Sequence, residues 1–398
     1  MEKLITALLF CYLVLFPFGQ LNRLPISLFQ SPEIRFYLTD LVMFLLILTW
    51  GIWRFLLIKK KYTLPPLTKP IFLFLMIAII SLIVNSSRLS IRELFVSGLY
   101  LLRWIVYAGL YFVLIDLKDR FNYLKWSSMV NYLIVLGAMT AIFGLVQYLI
   151  WPDIGFLEVF GYDPHYFRLV GTFFDPGFVG IILVLTLILL VVSNWEKIGI
   201  FKLKNLPVHC LLFTLYCSLA LTYSRSSYLA YLMGMGVIAF IKKAPRFFLI
   251  ILFIGALTLL ILPRQSGGEG IRLERTSTIQ ARAGSWQNAL IISRDHPLIG
   301  VGFNAFRYAQ RDYGFLKERW QESNAGAGAD SSLLFVLATT GIIGFLTYLG
   351  IWWKILRIGN LTILASALAI LIHSLFLNSL FYPWVMAWMW ILLAKENK

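Results

Sequence analysis

Arg168, Arg225 and Arg282 are among the residues of this chain able to hold a multiply charged anion, and Asp330 and His296 are among those able to move a proton. A guanidinium presents a planar fork that grips two phosphate oxygens at once and keeps its charge when partly desolvated, whereas an ammonium is a hydrated point charge. An imidazole, or a carboxylate whose affinity for protons is raised by burial, can take the proton of an attacking hydroxyl. Trp286 follows Arg282 by four residues, so on a helix the two share a face. These residue types predict a phosphate-bearing substrate and base-assisted attack on it. Each also has a plainer reading that the residues leave open. The arginines could pair with Glu269, Glu274, Asp295, Asp312, Glu318 and Glu322 as solvated ion pairs. Asp330 could cap the apolar run behind it, His296 could end a helix before Pro297, and Arg225 with Ser224, Ser226 and Ser227 could be an interfacial cap touching lipid phosphate.

Such residues need a scaffold, and here it is apolar. Hydrophobic residues make up 60% of the 398 and charged residues 14%, with a mean hydropathy of +0.80, which excludes a soluble globular domain. A hydrocarbon core of about 30 Å takes roughly 20 helical residues. About twelve runs approach that length: 4–19, 36–58, 70–85, 94–115, 128–151, 176–193, 207–223, 226–241, 246–263, 331–353, 361–378 and 382–394. The expectation is an all-α integral membrane protein, one polytopic domain over 1–398, with about twelve transmembrane helices. Lys3 precedes the first run, but no small-x-small site follows it, so a retained helix is expected rather than a cleaved signal. Cys11, Cys210 and Cys217 all fall within runs and read as apolar packing, not as a disulfide or a metal site.

The basic residues orient the bundle. With the amino terminus inside, Lys59 to Lys61, Lys197, Lys202, Lys204, Lys242, Lys243 and Lys354 share one side, the cytoplasmic side by the positive-inside rule. The other side holds Lys317 as its single lysine, yet is rich in arginine, concentrated in a large outer loop at 264–329, while a second outer loop at 152–176 carries Arg168. The net charge of +16 is thus mostly an orientation signal, and no aromatic-interleaved basic motif argues for nucleic acid. The large loop is expected to be partly helical. Gly267, Gly268 and Gly270 lead in, Ser277 caps a helix to about Ser293, and Asn304 caps another to about Asp312. Pro297, Gly300 and Gly302 between them read as a turn, with only a weak phosphate-loop signal. Gln321 to Gly328 suits a mobile linker.

In order along the chain, Arg168-x-x-Gly-Thr-Phe173, Tyr223-Ser-Arg-Ser226, Arg282-x-x-x-Trp286, His296-Pro-Leu-x-Gly-x-Gly302 and Leu337-x-x-x-Gly-Ile-Ile-Gly344 resemble the O-antigen ligase and O-antigen polymerase superfamily. His373-Ser-x-x-x-Asn378 looks like the last helices of that family, and Asp40 fits its amino-terminal half more loosely. The resemblance implies a glycosyltransferase-like bundle of the C type at the outer face of the bacterial cytoplasmic membrane. It implies a metal-independent, inverting transfer of a glycan from undecaprenyl pyrophosphate to a saccharide or lipid-linked acceptor, with no cofactor and with membrane lipids as surroundings. On the family pattern Arg168 and Arg282 hold the pyrophosphate. The family's ligases carry a histidine eleven residues before the glycine matching Gly341, and here that position is Asp330. This departure favours a polymerase or another glycan transferase over the usual ligase, with Asp330 or His296 as base.

A transporter or flippase for a lipid-linked or anionic solute is the competing class. It predicts repeated halves with interrupted helices and charges at membrane depth. No repeat is visible, and Arg103, inside the fourth run, is its best feature. Arg103 could pair with Asp40 or reach an outer substrate site.

Overall fold

The computed structural model describes residues 1–25, 34–58, 62–120, 126–198, 202–263, 269–316 and 327–394. Lys59 to Lys61, Arg264, Gly267, Gly268, Lys317, Glu318, Glu322 and most of the polar stretch after Gln321 lie outside them.

The described chain is helical, and its principal helices are α1 (Glu2–Leu15), α2 (Leu38–Ile52), α3 (Thr68–Val84), α4 (Ile91–Arg120), α5 (Trp126–Ile150), α6 (Pro176–Ser193), α7 (Leu206–Leu221), α8 (Arg225–Ile241), α9 (Pro245–Ile261), α10 (Ser277–Asp295), α11 (Phe306–Asp312), α12 (Ser332–Leu356), α13 (Leu361–His373) and α14 (Pro383–Leu393). Seven are long and apolar enough to cross a membrane, and α3, α8, α9, α13 and α14 are shorter apolar helices that complete the twelve expected runs. The protein is therefore a multi-pass membrane protein, with α10 and α11 in the large loop. Lengths follow the apolar runs because, in hydrocarbon, every backbone donor and acceptor must be satisfied within the segment. Short polar residues start the helices. Asp175 Oδ1 accepts from Gly177 N (2.7 Å) and Phe178 N (2.9 Å) ahead of Pro176 in α6, Ser224 caps α8, and Asn360 caps α13.

Two helices form the centre. Nearly every residue of α6 is buried, as is every residue of α14, including Trp384 and Trp388. The periphery is α9, which has no buried residue. Cys11, Cys210 and Cys217 are free cysteines on apolar helices, and Cys11 and Cys210 are exposed on outward faces.

Helix α12 is broken at Gly341 (φ +64, ψ −171), and the turn after His296 is lodged in the break. Ile342 N donates to Pro297 O (2.8 Å), Val301 N to Ala338 O (3.0 Å) and Gly302 N to Thr339 O (3.1 Å). From α3, Ser81 Oγ donates to Ile299 O and Thr339 O (both 2.7 Å), and Asn85 Nδ2 to Gly300 O (3.1 Å). The glycines expected to form a plain turn are thus a plug that satisfies the carbonyls freed by the kink, roughly two helical turns below the end of α12. A Cβ on Gly341 would lie 2.3 Å from Leu298 O, and one on Gly300 would lie 2.4 Å from the Thr339 carbonyl carbon. Both also have positive φ, so Gly341→Ala and Gly300→Ala should each lower stability by about 2 kcal/mol or more. Gly350, with open space around it, is the control. Thermal unfolding in detergent measures this, and an unchanged midpoint for Gly341→Ala would refute the plug.

Two details of the loop differ from expectation. Thr276, not Ser277, holds the cap position of α10, and α11 starts after Ala305 rather than at Asn304, which adopts φ +60. On α10, Leu290 turns outward, while Ala289 is fully buried.

Candidate functional site

The loop of residues 151–175, the turn before α8, the start of α10 and the start of α12 meet at one end of the bundle, the end richest in arginine. Arg168 follows Phe167, whose positive φ (48) turns the chain, and the Arg168 side chain is buried. Its Nε donates to Thr222 O (3.0 Å) and its Nη2 to Tyr223 O (3.3 Å), and Nη1 has no partner among the described residues. Arg275 donates through Nη2 to the same Tyr223 O (3.4 Å) and through Nη1 to Gly270 O (2.6 Å). Burial, and then the charge of Arg275, push the Arg168 guanidinium down to about 9, with Asp175 opposing. Two cations held side by side by backbone oxygens, with one fork end free, form a site that an anion would relieve.

Arg282 projects from the first half of α10 and has no hydrogen bond to any described residue. It stands 5.9 Å from the Phe376 ring centroid. Burial lowers its proton affinity, Asp330 raises it, and Arg225 lowers it again. None of Arg168, Arg225 and Arg282 forms an ion pair among the described residues, which leave out Glu318 and Glu322. The solvated-pair reading holds for Arg311, which pairs with Glu93 and with Asp312 (2.8 Å).

Asp330 is fixed through its backbone. Its N–H donates to Ser285 Oγ (3.0 Å) and its carbonyl accepts from Trp286 Nε1 (3.1 Å), so one turn of α10 clamps the residue beside Arg282. Trp286 is thus a support for Asp330, with its ring against Phe376 at 5.9 Å. The cap of α12 is Ser331, whose Oγ accepts from Leu334 N (3.4 Å), and the reading of Asp330 as that cap is set aside. Burial raises the Asp330 carboxyl above its ordinary range. Arg282 pulls it down, and Asp163 and Asp175 push it up.

The other candidates fall elsewhere. Arg225 uses Nη1 on Leu273 O (3.2 Å) and Arg275 O (3.1 Å), and Nη2 on Thr278 Oγ1, so it ties the large loop to α8. His296 sits against Arg88 (Nη1 to Nδ1 3.2 Å), and burial and then Arg88 lower its proton affinity. Its surroundings are Arg88 and Asp295, not the Arg168, Arg282 and Asp330 group. Arg103 pairs with Asp40 (2.8 Å) and donates to Arg35 O (2.5 Å), which settles the choice between its two readings. Asp40 lies in the first turn of α2, so Arg103 is level with the start of that helix.

Two residues at the site were not among the candidates. His373, fully buried at the end of α13, meets Ser379 Oγ through Nδ1 (2.6 Å) and Ser227 Oγ through Nε2 (3.3 Å), and Ser227 Oγ also donates to Ser224 Oγ (2.8 Å) and Gly177 O (3.3 Å). It therefore joins the starts of α6 and α8 to the turn that carries Phe376 beneath Arg282. Asn378 in that turn has a buried Oδ1 without a hydrogen bond among the described residues, and its Nδ2 would lie 2.8 Å from a Cβ on Gly328, two residues before Asp330. The available signal for both was a histidine within an apolar run, followed by a serine and an asparagine. Among the described residues no group of His, Cys, Asp and Glu gathers as a metal cluster.

Residues 210–349 match the family model described as O-antigen ligase. The match contains Arg225, Arg282, Trp286, His296, Asp330 and the Gly341 break; Arg168, Arg103 and His373 lie beyond it. No curated protein matches the chain.

Proposed function

From the match of residues 210–349 to the O-antigen ligase family model we propose that the chain transfers a glycan from an undecaprenyl-pyrophosphate donor to a saccharide acceptor. The observation that carries the reading is the juxtaposition of Arg282, free of hydrogen bonds to described residues, with a clamped Asp330. Arg168, which keeps one free Nη1, lies at the same end. The acceptor hydroxyl gives its proton to the Asp330 carboxylate, and its oxygen attacks the anomeric carbon. The bond from that carbon to the lipid pyrophosphate breaks, and the electron pair leaves on the pyrophosphate oxygen. Arg168 and Arg282 stabilise that charge in a partly dry site, where fixed cations act as a divalent metal would. Attack from the face opposite the leaving group inverts the anomeric centre. An aspartate at position 330, where the ligases of the family carry histidine, favours a polymerase or related transferase.

The reading places residues 152–176 and 264–329 outside the cytoplasmic membrane and the lysine-rich ends inside. Purified protein in vesicles should release undecaprenyl pyrophosphate only when donor and acceptor are both present, and should do so in EDTA. Uptake of a solute without glycan transfer would instead favour a transporter. In cells, with Cys11, Cys210 and Cys217 replaced, an impermeant maleimide should label Arg272→Cys and spare Leu203→Cys. The reverse pattern would overturn the orientation.

A further inference from the structure

An apolar groove between α6, α7 and α9 encloses about 660 Å³ and runs from Ile198 and Phe247 at the lysine-rich end to Leu262 and Pro263 at the arginine-rich end. It exists because α9 buries none of its residues, leaving its side towards α7 unfilled; a hydrogen bond from Tyr216 to Thr258 (2.8 Å) joins the two helices. A second cavity of about 260 Å³ shares Tyr216 and Thr258 with the groove and reaches Tyr228, whose phenol lies in the field of Arg168. At the head of the groove, Tyr223 Oη donates to Pro263 O (2.7 Å), and the Tyr223 carbonyl is the one that Arg168 and Arg275 share.

Apolar walls whose arginine-rich end is joined through Tyr223 to two guanidinium groups fit an amphiphile with an anionic head. Length identifies its tail. An acyl chain of a phospholipid fills one leaflet, about half of a 30 Å core. The 17 residues of α9 extend about 25 Å, so a single chain that fills the whole groove must be longer than one leaflet. We propose that this groove holds the polyprenyl chain of the donor, with its pyrophosphate against Arg168 and Arg275. The inference rests on the transferase reading above and adds where the lipid lies and which cation, Arg275, joins its head.

The test uses the full chain in lipid nanodiscs, without acceptor, and an undecaprenyl-pyrophosphate saccharide carrying a diazirine near the far end of its chain. Photolabel should fall on residues 206–221 and 245–261. Label in the groove of about 780 Å³ between α8 and α13, or label abolished by excess phosphatidylglycerol, would overturn the proposal. Filling the space gives an independent readout. Gly255, where an added Cβ would meet nothing within 4 Å, lines the smaller cavity, and Cys217 lines the groove. Gly255→Phe with Cys217→Trp should raise KM for an undecaprenyl-linked donor roughly tenfold and for a farnesyl-linked donor less than about twofold, because only the long tail loses buried methylenes. Equal changes for both donors would overturn it. Groove label with no transfer by the unsubstituted protein would remove the transferase reading and keep the groove, whereas transfer with label elsewhere would do the opposite.

Discussion

Asp330→Asn removes most glycan transfer while leaving donor binding and stability nearly unchanged. General-base assistance is worth about 10² to 10⁴ in rate, and asparagine cannot accept the proton. The fold is spared because backbone bonds to Ser285 and Trp286 hold residue 330, because asparagine can still accept a hydrogen bond from Ser285, and because Ser331 is the residue that caps α12. Asp330→Ala should therefore also fold, which a capping role would not allow without a loss of about 1 kcal/mol. The pH dependence gives a second readout. The base works only when ionised, so transfer should fall as pH drops through the Asp330 proton affinity, which burial holds above the ordinary carboxylate range. Arg282 lowers that affinity, and Arg282→Ala should move the acid limb of the profile to higher pH. Product formation at saturating donor and acceptor, measured across pH, checks both statements. A fully active Asp330→Asn enzyme would transfer the role to His296 or dispense with a base.

Arg282→Ala lowers transfer about tenfold to a hundredfold, the range of a charged hydrogen bond worth roughly 1.5 to 3 kcal/mol. Arg282→Lys should recover only part of the loss, since an ammonium does not reproduce the fork. Protein levels should hold, because the guanidinium makes no hydrogen bond within the described structure. Arg168→Ala should lose activity on the same scale and stability besides, since Arg168 holds the Thr222 and Tyr223 carbonyls ahead of α8. If both arginines grip one pyrophosphate, the double variant departs from the product of the single effects, as contacting residues do. Normal activity of both single variants, at normal protein levels, would discard the site.

The bundle was legible in composition. A run of some 20 apolar residues has few alternatives to a membrane helix, so twelve runs became twelve apolar helices with ends near the expected places. Arg168, Arg282 and Asp330 stand out in the sequence through the family resemblance of the motifs around them, since their chemistry is shared by many other arginines and carboxylates of the chain. The turn at Pro297 to Gly302 was legible as a turn and not as a plug. Its meaning depends on Gly341 and Ser81, which lie far away along the chain.

By itself, then, the sequence determined the helices, the segregation of arginine from lysine, and the residue types able to bind phosphate and move a proton. These are local properties of hydrophobicity and side-chain chemistry. Only the tertiary structure decided which of those residues work together: that Arg103 is occupied by Asp40, that Arg225 ties down the loop, that His296 faces Arg88, and that Ser331 rather than Asp330 is the cap. It also decided that His373 joins three segments widely separated in the chain and that an unfilled side of α9 leaves a groove. Such facts depend on distances between helices, and one helix says little about its neighbours when both are uniformly apolar.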